Sequence, residues 1–442
     1  MNEVLIILGL ILVVVIGYSI IFICNFLKEM SLFEKSPYAF ALGVGAVAFE
    51  MFLYSIFKIP WNPAYLLTPI VLIVIAAFKM MPKIRFKHKL FTNWSLIEKV
   101  ILVLILLLIF FVAFEAQLRP VSAWDGWAIW LLKAKMFYID GFVNPAVYKL
   151  LKEGYPFVIN LSVAFLYTLL GKVDDRSVLL LFFCFYLFTS ILFYTQVKKR
   201  TGNLFALVFT FLLISTQNLV RHGGRFEAGY ADLALGFYFF VSLSLFLRFL
   251  KSWSNRDLII LSVILGITGL IKEEGISYIL LISLFLVYSI LKSKKYKMIP
   301  LSFIYLIPIG IWQMFKLYFG PFPGLYNSFV PHLNRTISII YFILKEMINF
   351  QNWNLLWILF FIAFFTFNLS KKYFYIYCLI FFQLFIYSCV FLISPYPPNV
   401  HIPNVMDRLL LHLAPISVFV TALVLYKPLK ILLHNINAKI KI

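Results

Sequence analysis

The chain has 442 residues, of which 63% are hydrophobic and 13% charged. Soluble domains are about half apolar and a quarter charged, so a water-soluble fold is excluded. The formal net charge of +21 does not point to nucleic acid, because the basic residues sit in short breaks between apolar runs, as topology signals do. Cys24, Cys184, Cys378 and Cys389 all fall inside apolar segments. They and the scattered histidines suggest neither a disulfide framework nor a zinc site.

Apolar runs of about 20 residues read as membrane-spanning helices. In chain order they fall at 4–26, 37–58, 63–79, 99–117, 177–197, 203–219, 231–250, 257–271, 276–291, 298–318, 354–370, 373–393 and 409–426. The expectation is therefore an all-α polytopic membrane protein with about thirteen spans. The first run, Val4 to Phe26, is too long for the apolar core of a secretory signal, so it is expected to stay as a helix.

Orientation follows from the bias of Lys and Arg toward cytoplasmic connections. With the N-terminus outside, the inner connections are 27–36, 79–99, 198–202, 248–256, 292–297, 371–372 and the tail 427–442. These hold the dense clusters Lys198-Lys199-Arg200 and Lys292, Lys294, Lys295 and Lys297. The expected location is thus a multi-pass plasma-membrane protein with a cytoplasmic C-terminus. The long outer segments are 118–176, 319–353 and 394–408.

The first outer segment stands apart. Trp127, Trp130, Leu131 and Ala134 are spaced for one helical face, with Lys133 and Lys135 on another. That pattern predicts an amphipathic helix over 126–138 lying in the interface. The run 155–170 could span, but that would put every downstream basic cluster outside. It is read as a second surface or re-entrant helix.

Charges near membrane-facing helix ends are costly, so they are candidates for function. Asp125 follows the fourth span between Trp124 and Trp127. A carboxylate at such a low-dielectric boundary suits a general base. The same residue also suits the N-cap of the helix beginning at Gly126. A second group is Arg221, His222, Arg225, Glu227 and Asp232, within one short connection. Arginines match phosphate oxygens, and the carboxylates could position an acceptor or hold a divalent metal; a merely solvated loop is the alternative. A third is Lys272-Glu273-Glu274-Gly275, where Lys272 either meets an anion or pairs with Glu273 or Glu274. A fourth is His401 with Asp407 and Arg408 at the start of the last helix. Arg176, Lys272 and Arg408 together are read as a phosphate cradle.

The motifs Trp124-Asp125-Gly126-Trp127-Ala128-Ile129-Trp130 with Lys133-Ala134, Tyr155-Pro156, Gly229-Tyr230-Ala231-Asp232-Leu233, Lys272-Glu273-Glu274-Gly275 and Asp407-Arg408-Leu409-Leu410 occur in order along 98–426. This set resembles the GT-C superfamily of polytopic glycosyltransferases, in the group related to protein O-mannosyltransferases and aminoarabinose transferases. The chain departs from that pattern in having three spans ahead of the one leading to Asp125, and Tyr155-Pro156 where the family has His-Pro-Pro.

The resemblance implies a GT-C-like module over 98–426, an N-terminal three-helix extension over 1–97 and a tail over 427–442. It implies two surface helices in the first outer loop and an acidic residue just after a span, which Asp125 matches, with Asp232 and its rival Glu227 as further catalytic acids. Donor phosphate would fall to Arg176, Arg221, Arg225, Lys272, Arg408, His222 and His401. Trp124, Trp127, Lys133, Glu273 and Glu274 would position the acceptor or the loop. A divalent cation, Mg or Mn, if used, would sit on Asp125, Glu227 and Asp232. The implied reaction moves a hexosyl or pentosyl unit from a polyprenyl-phosphate donor in the bilayer to a glycan, lipid or protein acceptor at the outer face. The alternative is a lipid or sugar transporter, which predicts mid-membrane charges and broken helices in paired halves.

Overall fold

The computed structural model describes residues 2–80, 94–148, 154–320, 330–366 and 373–440. Every regular element among them is helical, as expected of an all-α membrane protein. The helices are α1 (Asn2–Ile23), α2 (Leu32–Ile56), α3 (Pro63–Phe78) and α4 (Leu96–Leu118). Next come a π-helical turn (Gly126–Trp130), α5 (Leu131–Asp140), α6 (Pro145–Tyr148), α7 (Val158–Leu170) and α8 (Leu180–Thr201). Then follow α9 (Asn203–Ile214), α10 (Gln217–Gly224), α11 (Asp232–Ser252), α12 (Asn255–Gly269), α13 (Glu274–Lys292), α14 (Ile299–Ser302) and α15 (Leu306–Tyr318). The last are α16 (Thr336–Met347), α17 (Phe350–Trp353), α18 (Leu356–Thr366), α19 (Phe374–Ile393), α20 (Pro398–His401) and α21 (Met406–Ile440).

Local chemistry sets several boundaries. A capping box between Ser31 and Glu34 starts α2 ahead of the apolar run, so the helix begins at Leu32 rather than near residue 37. Asn62 caps α3 through its side chain, with Pro63 at the first helical position. The last helix does not end near residue 426 but continues through Pro428 to Ile440.

Each of the thirteen predicted runs coincides with helix, but not each is a full span. Among the described residues nine helices are long and apolar enough to cross a bilayer, or ten if one bent pair counts as a single span. That pair is α9 and α10, bent by 69°. Helix α3 has 16 residues and α12 has 15, both short of the usual crossing length of about 20. The run at 354–370 yields the 11 residues of α18; its end at 367–370 lies outside the described residues, as do the connection 371–372, residues 81–93 of the connection 79–99, 149–153 of the first long segment, 321–329 of the second, and 441–442.

Two compact units are present. The first comprises 1–88, 111–188 and 221–327. Here α1 and α2 pack backbone to backbone. A Cβ at Gly17 would lie 1.7 Å from the Ala39 carbonyl oxygen, and one at Gly43 would lie 1.9 Å from that of Val13. Small residues give membrane helices this close approach. Helix α11 is apolar on every side and buried from Asp232 to Phe246, as an all-round hydrophobic helix must be.

Helix α7 is enclosed by its contacts with α1, α2 and α5. All its residues from Val158 to Thr168 are buried. It is therefore a protein-covered helix of 13 residues, which counts against the surface helix among the two readings of 155–170, surface or re-entrant. The first helix of that segment also departs from expectation. Lys133 is buried with Trp130, Leu131 and Ala134, while Trp124 and Trp127 are exposed. The π turn, closed by Leu131 N–H donating to the Gly126 carbonyl, shifts the register that a regular helix would have kept.

The second unit comprises 89–110, 189–220 and 328–442. Helix α21 is its centre and packs on α9, α18 and α19. Polar links tie it together: Asn218 Nδ2 donates to the Asp407 carbonyl at 2.8 Å, and the Tyr387 hydroxyl lies 2.9 Å from His412 Nδ1.

Overpacking typically costs about 1–3 kcal/mol, and Gly43→Leu is expected to lose at least that from the α1–α2 pair. Thermal melting of detergent-purified protein checks this; an unchanged midpoint would contradict the close approach.

Candidate functional site

In the first unit the polar residues gather where α4 ends, α10 ends, and α11 and α13 begin. Asp125 lies on the turn between α4 and the π turn and is half-buried. Its backbone N–H donates to the Tyr230 hydroxyl at 3.3 Å. It has helical backbone angles and its side chain makes no cap hydrogen bond, so it is not the capping side chain that its position suggested. The loop carrying Tyr230 comes close because two glycines meet. A Cβ on Gly229, whose φ is +106°, would lie 3.2 Å from the Gly126 Cα. Tyr230 also meets the edge of buried His222, with ring centroids 5.6 Å apart.

Beside Asp125 stands a group that the sequence reading passed over in part. Glu115 of α4 accepts from Arg119 Nε, one turn later, and from Arg225 Nε at 3.0 Å. Both guanidinium groups lie on Phe226, 4.9 and 5.2 Å from its ring centroid. Ser122 Oγ donates to the Phe226 carbonyl at 3.5 Å, so this triad borders the Asp125 turn. Two arginines on one carboxylate leave one positive charge in surplus. The i,i+4 spacing of Glu115 and Arg119 at the end of a span was the available signal.

The other predicted charges have committed partners. Arg221 grips Glu227 through two nitrogens, with Nε to Oε2 at 2.7 Å. Burial pushes the Glu227 carboxyl up most strongly, but the hydrogen bond from Arg221 and the nearby His222 and Arg221 charges outweigh it and hold it below the usual range. Asp232 is buried at the start of α11 and accepts from Lys272 Nζ at 2.7 Å. Lys272, itself buried, also lies 3.1 Å from Glu274. Of its two expected acidic partners, Glu274 is the one engaged, with Asp232 added.

Glu273 turns elsewhere. A Cβ on Gly154 would lie 1.9 Å from its Oε1. Although the residue is exposed as a whole, desolvation of its carboxyl first, then Glu274, raises that group above the ordinary value, against the pull of Lys316, Lys272 and Lys133. Lys133 Nζ stands 4.7 Å over the Tyr148 ring. Lys316, which the sequence reading did not select, lies 5.8 Å from Trp312, and Trp312 packs on Tyr148 at 5.3 Å. Trp130 stacks on Tyr155 at 5.1 Å, and Asn160 Nδ2 donates to the Trp130 carbonyl at 2.8 Å. These contacts explain why Lys133 and Trp130 turn inward together.

Two of the three residues read as a phosphate cradle meet carboxylates. Arg176 is exposed and pairs with Glu3 at 3.2 Å, and Lys272 is enclosed by its two carboxylates. Arg408 and His401 belong to the second unit, where Arg408 N–H takes the Asp407 carboxylate at 2.8 Å and His401 Nδ1 lies 2.7 Å from Ser394 Oγ. The trio suggested for a metal does not fit one either. Asp232 and Glu227 are bound by Lys272 and Arg221, and among the described residues no three His, Cys, Asp or Glu side chains are grouped to hold an ion.

Residues 155–312 match the model of the family described as dolichyl-phosphate-mannose-protein mannosyltransferase. The match runs from the approach to α7 to the middle of α15 and bears out the GT-C resemblance over that stretch. Over that stretch the chain is similar to a family of mannosyltransferases. Asp125, Glu115 and Arg119 precede the matched residues, whereas Arg225 lies within them. No curated protein and no solved structure matches the chain.

Removing one partner of a buried ion pair costs about 3–5 kcal/mol, and Lys272→Met is expected to lose that much because Asp232 is left buried. The double variant Lys272→Met with Asp232→Leu is expected to recover most of it. Melting midpoints of the three proteins check the cycle. A second expectation concerns acid. A carboxyl held low in the folded state adds stability that is present above its unfolded pKa and lost as pH falls through the folded value. Wild type is thus expected to lose the Arg221–Glu227 contribution only below the ordinary carboxylate range, and Glu227→Gln to lack that part of the acid dependence in melts across pH.

Proposed function

We propose that the protein transfers a hexosyl or pentosyl unit from a polyprenyl-phosphate donor to an acceptor hydroxyl at the outer face of the membrane. One observation carries this reading: Asp125, a half-exposed carboxylate, stands next to the Arg119–Glu115–Arg225 triad with its surplus positive charge. The family match downstream supports the reaction class.

In this reading Asp125 takes the proton from the acceptor hydroxyl, or orients that hydroxyl for attack. The hydroxyl oxygen forms a bond to the anomeric carbon of the donor. The bond from that carbon to the phosphate oxygen breaks, and the lipid phosphate leaves with the electron pair. Arg119 and Arg225 stabilise the charge that develops on the leaving phosphate. Their position suits a lipid-borne donor, since α4 is largely uncovered by protein and Phe110, Leu107 and Phe114 on it are exposed. Tyr230 and His222 hold the Asp125 turn. Asp232, Glu227 and Glu274 act through Lys272 and Arg221 as positioning groups rather than as bases.

The outer location rests on charge. Helix α13 begins beside Lys272 and ends at Lys292, next to the cluster Lys294, Lys295 and Lys297. The Lys198-Lys199-Arg200 cluster likewise closes α8, at the end away from Arg176. If those clusters are cytoplasmic, Asp125 faces outward.

Losing a positioned general base costs roughly 10²–10⁴-fold in rate. Asp125→Asn is expected to lose glycan transfer by that order while melting like wild type, measured with membranes and a polyprenyl-phosphate sugar. Wild-type turnover by Asp125→Asn would overturn the assignment. Arg119→Gln with Arg225→Gln is expected to lower kcat and raise KM for the donor; unchanged kinetics would remove the triad from the site.

A further inference from the structure

A second feature of the first unit lies away from Asp125. A cavity of about 1180 Å³ opens between the C-terminal ends of α2, α5 and α15. Pockets for small ligands span about 300–1,000 Å³, so this one is larger than a compact metabolite requires. Its walls are apolar, with Ile56, Trp61, Phe142, Ile311, Phe315 and Phe319 among them. Two of the three elements that form it, α2 and the stretch containing α15, are long and apolar enough to span a bilayer, so the cavity at their ends falls at the level of the lipid interface.

The rim is built rather than loose. Lys58 adopts φ +57°, which turns the chain back after α2, and Ile59 N–H donates to the Tyr54 carbonyl at 2.8 Å. Trp61 Nε1 then donates to the Met51 carbonyl at 3.1 Å. Across the cavity, Val143 N–H donates to Ser55 Oγ at 3.0 Å and fixes the segment after α5. Asp140 closes α5 and accepts from Asn144 Nδ2 at 2.8 Å. The lining therefore carries one exposed cation, Lys58, and one exposed carboxylate, Asp140, over an apolar interior, with Trp61 and Tyr318 as amphipathic aromatics of the kind found at headgroup depth.

We propose that this cavity binds a zwitterionic phospholipid, with its chains along the apolar walls, its phosphate at Lys58 and its ammonium at Asp140. The pairing of opposite charges on one rim decides the occupant. A lipid with a purely anionic head, such as a polyprenyl phosphate, would meet Asp140 as a like charge. Phe315, which lines the cavity, packs on Phe52 of α2 at 5.2 Å and stacks on Trp312 at 5.7 Å. Lys316 follows Phe315 on the same helix, so an occupant of the cavity would bear on the helix that carries one of the charges around Glu273.

The test uses the full chain in vesicles of phosphatidylethanolamine and phosphatidylglycerol, with a trace of phosphatidylethanolamine bearing a diazirine in its acyl chain. After illumination, labelled peptides are mapped. Label is expected on 55–61, 140–145 and 311–319 in excess over the exposed face of α4, which serves as the measure of bulk lipid. Met314→Trp, which narrows the cavity from its α15 wall, is expected to lower the label on those three stretches and to retain it on α4. Asp140→Lys is expected to move the preference to phosphatidylglycerol carrying the same diazirine. Equal labelling of α4 and the three stretches would mean bulk lipid only and would overturn the proposal. So would displacement of the label by added polyprenyl phosphate, or Met314→Trp labelling like wild type. None of these readouts involves sugar transfer, so the outcome is independent of the transferase reading.

Discussion

The Lys272 ammonium is the contact on which much of the first unit turns. It sits between Asp232 at the start of α11, buried as it is itself, and the half-buried Glu274 at the start of α13. Buried charges are tolerable only as pairs with good geometry, and each member becomes costly without the others. The pairing therefore holds two helix starts and the turn after α12 together. That turn is also where the Leu270 carbonyl accepts from Val158 N–H at 3.1 Å, at the head of α7. A single cation so links α11, α12, α13 and the buried α7.

The division of charge around Asp125 follows from the same rule. Asp232, Glu227 and Glu274 each face a cation from a neighbouring element, and Glu115 faces two. Asp125 lies on a turn at the edge, half-exposed, with its backbone N–H bonded to Tyr230. The π turn after it adds one residue to the helical repeat, which lets Trp124 and Trp127 stay outside while Trp130 and Lys133 go in. π turns are often found at functional sites. Here the turn sets the direction of the side chains that border the acid.

What was legible in the sequence was what depends on composition and near neighbours. The apolar runs gave the helices, and the scarcity of charge excluded a soluble fold. The motif around Asp125 and the Arg221–Asp232 segment do meet, through Gly126 against Gly229 and Asp125 against Tyr230. Arg176 and Lys272 were placed together by their type alone, yet each took the carboxylate that its own helix end brought near.

The sequence by itself determined that this is an all-helical membrane protein with most of its charge in connections and near helix ends, because transfer of side chains from water to lipid is a property of each residue. Only the tertiary structure decided that α7 is enclosed, that Lys133 points inward, and that Lys272 belongs to Asp232 and Glu274. Those outcomes depend on which helices meet. An apolar helix of 13 residues reads the same whether lipid or protein covers it, and a lysine finds its carboxylate across 40 residues of chain that no local pattern spans.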